Sequence, residues 1–307
     1  MEWRTATISD IDSLQKCALS NAFFANNYGA VNTLLYQKKF RSQIAIEDGW
    51  IFEKFSSGGK TIFGFPHNID GCKTELKLAL EKLCENAAEA ESPIVFENVT
   101  LEEKDALLQV FPAAEIAPMP ESGDYIYLTS KLSSLEGKKL SRKRNHIHQF
   151  ENKCPDFRFE LLCMENLSAV REIEDKWLSE NSEFARNDGT LSDLLIEREI
   201  IFFALENFEF FSKSCGMSGG ILFASGIPVA FCVASLLSTS VTDIHFEKCL
   251  YSFGRDGGYA VINNAFAKTV RTEFINREED LGIEGLRKAK LSYYPERVLE
   301  KFSVRIM

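Results

Sequence analysis

Asp243, His245 and Glu247 occupy every second position of "VTDIHFEKCL", and shortly afterwards "RDGGYA" (255–260) places an arginine and two glycines where a strand runs into a helix. Alternate side chains of a strand share a face, so the three polar groups would stand together while Ile244 and Phe246 turn into the core. A carboxylate or imidazole so placed can take the proton of an attacking amine, which makes His245 or Glu247 a candidate base. A glycine-bearing turn at a helix start exposes unpaired backbone N–H groups and the positive end of the helix dipole. Arg255, Gly257, Gly258 and Ala260 are therefore expected to form a solvent-open seat for phosphate. Downstream, "INREEDLGIEGLRKAKLSYYP" (275–295) is too polar for core. Glu278, Glu279 and Asp280 either begin a solvated helix or brace Arg287, Lys288 or Lys290 within a site. Tyr293 is a candidate acid for a leaving group, and Ser292 a hydrogen-bond donor.

A third cluster is basic. "KKLSRKRNHIHQF" (138–150) gathers five Lys/Arg and two His in a chain whose formal charge is −10. On a helical wheel Lys138, Lys139, Arg142 and His146 lie opposite Leu140 and Ile147, so the segment can pack and still offer cations outward. A solvated helix face is the plain alternative. His146 and His148, two apart, would point to opposite sides of a helix and do not make a metal pair.

The rest of the chain reads as elements able to hold these groups. Trp3–Ile8 reads as a short strand, followed by a helix capped by Ser9 and Asp10 and carrying Ile11, Leu14 and Ala18. "QIAIEDGWIFEKFSSGGKTIFGF" is a meander with Asp48-Gly49 and Gly58-Gly59 at its turns. A helix near 72–90, the strand "PIVFENV" and the helix "TLEEKDALLQVF" follow. After the proline-bearing link "PAAEIAPMPESGDY" the same order returns: the strand "FRFELL", and a helix with Leu167, Val170, Ile173 and Trp177 at helical spacing. An apolar helix ending near Gly216, a hairpin turning at Ser225-Gly226, the strand of His245, the glycine loop with its helix, the strand "EFINRE", a short helix and "EKFSVRIM" complete it. The order repeats although the sequence does not. The expected architecture is α/β with mixed sheets, in two tandem units, 1–123 and 124–307. The glycine loop has no counterpart in the first unit, so one working site is expected, in the second.

Composition narrows the class. Forty-five per cent hydrophobic and 26 per cent charged residues over 307 positions describe a globular chain with room for two domains. The longest nearly apolar run, "GIPVAFCVASLL", is too short to span a bilayer, and the start lacks signal-peptide character. A cytoplasmic location is expected. Eight cysteines without a C-x-x-C pair, several inside apolar runs, fit reduced thiols, and four histidines leave few imidazoles for a metal. No metal is expected.

Taken together, "DYIYLTSKLSSLEGKKLSRKRNHIHQF", "HFEKCL", "GGYAVINNAF" and "NREEDLGIEGLRKAKLSYYPERV" resemble, over residues 124–307, a bacterial family of unknown function similar to the C-terminal domain of phosphatidylglycerol lysyltransferase. The spacing Arg255-x-x-Gly258-x-Ala260 is similar to the acyl-carrier loop of GNAT-type transferases. The resemblance implies two GNAT-like (acyl-CoA N-acyltransferase) folds, as in Fem-type peptidyl transferases. It also implies transfer of an acyl or aminoacyl group, from a coenzyme A thioester or aminoacyl-tRNA, to an amine or hydroxyl. Lys138, Lys139 and Arg142 would then contact phosphates of coenzyme A or of a tRNA acceptor stem. Asn276, Arg277, Glu278, Asp280, Arg287 and Lys290 would support the site. The lysyltransferase enzymes carry membrane helices ahead of the catalytic part, and no transmembrane segment is expected here, so a soluble or peripheral acceptor, a small molecule or a lipid-like group, is expected. The alternative is a non-catalytic protein of the same fold that binds RNA or a phosphorylated ligand through residues 138–148.

Overall fold

The computed structural model describes residues 1–88 and 93–307. The chain enters through helices α1 (Ile11–Ser20), α2 (Ala30–Leu35) and α3 (Gln37–Phe40). Asp10 accepts the Thr7 amide (2.8 Å) and grips Arg4 through both carboxylate oxygens. The chain is thereby bent into a helix before a strand can extend. The expected strand at Trp3–Ile8 is reduced to a single bridge from Arg4 to Ile44.

The meander is present as β1 (Gln43–Glu47), β2 (Trp50–Ser57) and β3 (Lys60–Phe63), with β4 (His67–Asn68) beside β2. Next come α4 (Leu76–Ala88), β5 (Ile94–Thr100), α5 (Leu101–Val110) and β6 (Glu115–Pro118). The second half supplies β7 (Asp124–Leu128), α6 (Thr129–Ser134), α7 (Ser141–Lys153), β8 (Arg158–Leu161), α8 (Leu167–Asp188), α9 (Leu191–Glu206) and α10 (Phe208–Cys215). It continues with β9 (Ser218–Ala224), β10 (Ile227–Leu236), β11 (Val241–Cys249), α11 (Tyr251–Arg255), α12 (Gly258–Ala267), β12 (Phe274–Asn276), α13 (Glu284–Leu291), β13 (Arg297–Leu299) and β14 (Lys301–Ile306). Ser225 and Gly226, both at positive φ, close the β9–β10 hairpin as a turn whose twist matches the strands.

Two mixed sheets result. The second runs β13-β7-β12-β11-β10-β9-β8, and the first runs β1-β2-β3-β5-β14-β6. The closing strand β14, read from sequence as part of 124–307, thus pairs with β5 and β6 of the first sheet. Val304 drops into the core of Phe96, Val99 and Leu107, and this apolar burial draws the tail across. In return, α1 and α2 lie on the second sheet with α8, α9 and α10, in one core with Phe231, Val233 and Phe246. The opposite face of that sheet packs Phe150 of α7 and Ile262 and Phe266 of α12 against Leu222, Cys232 and Ile244. All eight cysteines are free thiols. Among the described residues no helix is long and apolar enough to cross a membrane.

Candidate active site at a strand junction

β11 and β12 run parallel only from Val241–Phe274 to Asp243–Asn276, and then part. Just past that point β11 carries a bulge. Ala234 opposes Ile244 and Val233 opposes Phe246, so His245 is an extra residue without a partner. One inserted residue reverses the facing of everything beyond it. Ile244 accordingly packs under α12 and Phe246 enters the core under α8. The expectation that Asp243, His245 and Glu247 share a face is corrected: Asp243 and His245 face α2, and Glu247 faces α12. The opening between the two strands is therefore furnished twice, once on each face of the sheet.

On the α2 face, Asn32 Nδ2 donates to Asp243 Oδ2 (3.1 Å) and to Glu278 Oε1 (3.3 Å). His245 Nε2 meets Ser235 Oγ at 2.8 Å, and Nδ1 turns toward the two carboxylates. Burial pushes the Asp243 and Glu278 carboxyls up from the usual range. The His245 side chain is 1% exposed, so an incoming acceptor has no access to it.

The α12 face is built differently. Arg277 donates to Glu247 (2.7 Å), and Asn263 Nδ2 donates to the other oxygen of the same carboxylate (3.1 Å). The Arg277 guanidinium lies 4.9 Å from the ring centre of Tyr293 and 5.8 Å from that of Tyr127. Lys143 of α7 reaches the Tyr293 ring from 3.7 Å. Burial, with the Arg277 cation adding to it, lowers the Lys143 ammonium to about 8. Burial pushes the Tyr293 hydroxyl far up, so it keeps its proton. The Glu247 and Arg277 side chains retain 10% and 12% exposure, a narrow contact with solvent that His245 lacks. Among the described residues, buried Arg277 Nη1 and Asn263 Oδ1 have no hydrogen-bond partner. An unengaged guanidinium donor beside a carboxylate, in a dry setting, can polarise a carbonyl and accept a proton.

The remaining expected site residues act as framework. Lys290 is buried and donates to the carbonyls of Arg277, Glu278 and Glu279, which fastens the turn after β12. Asp280 takes Arg287 through both oxygens (2.7 and 3.0 Å) and the Tyr125 hydroxyl, and the Arg287 bond holds its carboxyl at about 2. Asn276 donates to Asp124 and to the Phe24 carbonyl. Asp280 therefore does not begin a solvated helix.

The glycine turn also departs from expectation. Gly257, Gly258 and Ala260 are buried, and only the Arg255 and Tyr259 side chains of the segment are exposed. Gly257 holds φ +110°, and a Cβ there would stand 2.2 Å from the His146 carbonyl oxygen. A Cβ on Gly258 would stand 2.7 Å from Cys249 Sγ. Absence of side chains here lets α7 pack on Gly257, reinforced by the Lys153–Asp256 ion pair, and Cys249 of β11 pack on Gly258, so the turn is filled and is not an open anion seat. Lys138, Lys139 and Arg142, in contrast, are exposed, with no carboxylate within 4.0 Å among the described residues.

Sequence reading does not single out Asn26, Asn32, Asp124, Asn263 or Lys301, and finds Lys143 only as one cation among five. Lys301 Nζ, buried, bonds Asp124 Oδ1 (2.8 Å) and Asn26 Oδ1 (2.7 Å), joining the first sheet to the base of the junction. The one available signal is a lysine at the head of the strand "KFSVRI".

Comparison with known proteins places this architecture. A conserved protein of unknown function from Bacteroides thetaiotaomicron is 31% identical, with 100% of both chains covered and a TM-score of 0.90. The L-PGS of Bacillus licheniformis superposes with a TM-score of 0.66 at 13% identity, over 97% of this chain and 91% of that one. A tandem GNAT protein from the clavulanic acid biosynthesis pathway gives a TM-score of 0.50 at 9% identity, over 99% and 98% of the chains, and shares the fold of two mixed sheets. A curated relative, an uncharacterized protein of Mycoplasmoides gallisepticum, is 20% identical over 61% of this chain, and the match spans 57% of that protein's length. Residues 27–305 match the family described as phosphatidylglycerol lysyltransferase, C-terminal, and the chain belongs to that family.

Proposed function

We propose that the chain transfers an aminoacyl group from aminoacyl-tRNA to an amine or hydroxyl, at the α12 face of the β11–β12 junction. One observation carries this reading. Lys143 and Arg277 flank the same Tyr293 ring, so a line of cations leads from exposed Lys138, Lys139 and Arg142 inward to Arg277. The tRNA acceptor stem follows the outer cations, and its 3′ ester reaches the inner ones. Arg277 and Lys143 stabilise the oxyanion that forms as the acceptor attacks the ester carbonyl. Glu247 takes the acceptor's proton, the bond from carbonyl carbon to ribose oxygen breaks, and Tyr293 protonates the departing alkoxide. A coenzyme A thioester is the alternative donor. The spacing of Arg255 and Gly258 favours it, and the burial of Gly257 against α7 and of Gly258 against Cys249 of β11 opposes it.

Label transfer from radioactive aminoacyl-tRNA to lipid and soluble amine acceptors tests the proposal. Arg277→Gln and Lys143→Met should each lower kcat/KM by about 100-fold or more. Replacing Lys138, Lys139 and Arg142 by alanine should weaken tRNA binding and flatten its salt dependence by up to about three charges. Turnover of acetyl-CoA with aminoacyl-tRNA left unused would reject this donor. Tight tRNA binding without transfer to any acceptor would favour the non-catalytic alternative.

A further inference from the structure

The α2 face holds chemistry that the transfer reaction does not use. One ligand atom from each of Asp243, His245 and Glu278 lies within 4.8 Å of the others. His245 Nδ1 stands 3.4 Å from Glu278 Oε1 and 3.6 Å from Asp243 Oδ2. Those separations are long for hydrogen bonds between an imidazole and a carboxylate. They do match the edge, about 3.4 Å, of a tetrahedron whose corners stand about 2.1 Å from a shared ion. Ser235 engages His245 through Nε2 at 2.8 Å, which aims Nδ1 at the carboxylates. Fixing a ring through its far nitrogen is the usual support of a metal-bound imidazole.

A second observation is independent of this spacing. Asp243 Oδ1 is buried with no hydrogen-bond partner among the described residues, on a side chain only 1% exposed. Asn32 Oδ1, on the amide that touches both carboxylates, is likewise buried and without a partner. The nearest ammonium groups are engaged elsewhere: Lys301 by Asp124 and Asn26, Lys290 by three backbone carbonyls. Two carboxylates, Asp243 buried and Glu278 half-buried, are left short of positive charge, a state relieved either by a proton or by a cation that joins them.

We propose that Asp243, His245 and Glu278 bind one divalent metal ion of the zinc class, which fastens the bulge of β11 to the turn after β12. One imidazole and two carboxylates are a suitable donor set for such an ion. By holding Glu278, the ion also places its chain neighbour Arg277 toward Glu247 on the opposite face. Its role is structural: two of its three ligands, Asp243 and His245, have side chains only 1% exposed, and only Glu278, at 14%, reaches solvent.

Protein purified without chelator or nickel resin should hold close to one zinc per chain by plasma mass spectrometry. After chelation and dialysis, calorimetric titration with Zn²⁺ should recover a single site and raise the thermal midpoint. Asp243→Asn and Glu278→Gln preserve side-chain shape and should each weaken zinc binding by about 100-fold, and Ser235→Ala by about 10-fold. Co²⁺ in the unmodified chain should give the visible absorption of a four-coordinate site. Binding undiminished in Asp243→Asn and Glu278→Gln would overturn the site. So would a chelated protein indifferent to Zn²⁺. Should the variants not fold, a saturating Co²⁺ titration of the unmodified chain without a visible band would overturn it as well.

Discussion

Each sheet contains one parallel strand pair, and the two junctions are furnished in opposite ways. Beyond β3 and β5, which pair at Phe63–Phe96, lie Glu53, His67 and Glu103. The His67 ring is surrounded by those of Phe23, Tyr28 and Phe65, and the Tyr28 hydroxyl donates to Glu103. Burial raises Glu53 and Glu103 to about 7 and lowers His67 to about 3, so the groups shed charge. Beyond β11 and β12, Arg277 and Glu247 form an ion pair, Lys143 stands nearby, and a buried guanidinium nitrogen has no partner. Polar groups alone do not mark a site. Side-chain exposure is alike at the two, 12% and 11% for His67 and Glu103 against 12% and 10% for Arg277 and Glu247, so the difference lies in charge. The first junction holds acids and an imidazole that burial discharges, and the second keeps an arginine paired with a carboxylate and an unengaged guanidinium donor.

The sharpest way to break this contrast is Lys301→Met. Lys301 belongs to the first sheet by its strand and to the second junction by its partner. Its loss leaves Asp124 buried and uncompensated, and should cost about 4 kcal/mol of stability in urea unfolding. Adding Asp124→Leu should recover part of that loss, which would identify the uncompensated charge as its source. A smaller effect is expected of Gly257→Ala, where positive φ and the His146 carbonyl both oppose a methyl group. About 3 kcal/mol should be lost, with α7 loosened from the turn in hydrogen exchange.

The mildest change sharpens the comparison from the other side. Glu53 has a folded pKa of about 7, above its ordinary 4.5, because of burial. The folded state therefore binds the extra proton between these values, and stability falls as pH rises from about 4.5 to 7. Glu53→Gln should remove its share of that slope, leaving the part due to Glu103, and gain about 1 to 2 kcal/mol at pH 8, with little change at pH 4.5, in thermal or urea unfolding. Transfer activity should be unaffected, because the first junction takes no part in it.

Local patterns made most elements legible. The meander at 43–63, the helix from Leu167, the helix stop at Gly216 and the Ser225–Gly226 turn all stand where periodicity and turn residues place them. Arg277, Glu278 and Tyr293 were also within reach, because so polar a segment after a strand has to be engaged by something. The bulge at His245 was not legible. "TDIHFEK" alternates without a break, and an inserted residue appears only when the partner strand supplies a register.

The sequence by itself determined the kinds of element, their order and the presence of a basic stretch ahead of a charged junction. Those properties depend on neighbours a few residues apart, through periodicity, turn conformation and charge. The tertiary structure decided which face each polar group occupies, that β14 crosses to the first sheet, and that Asn32 and Lys301 reach groups 211 and 177 residues away. The reason is physical. Pairing register, buried charge compensation and close packing such as Gly257 on His146 are set by whatever chain segment the core brings alongside, and local sequence carries no record of that segment.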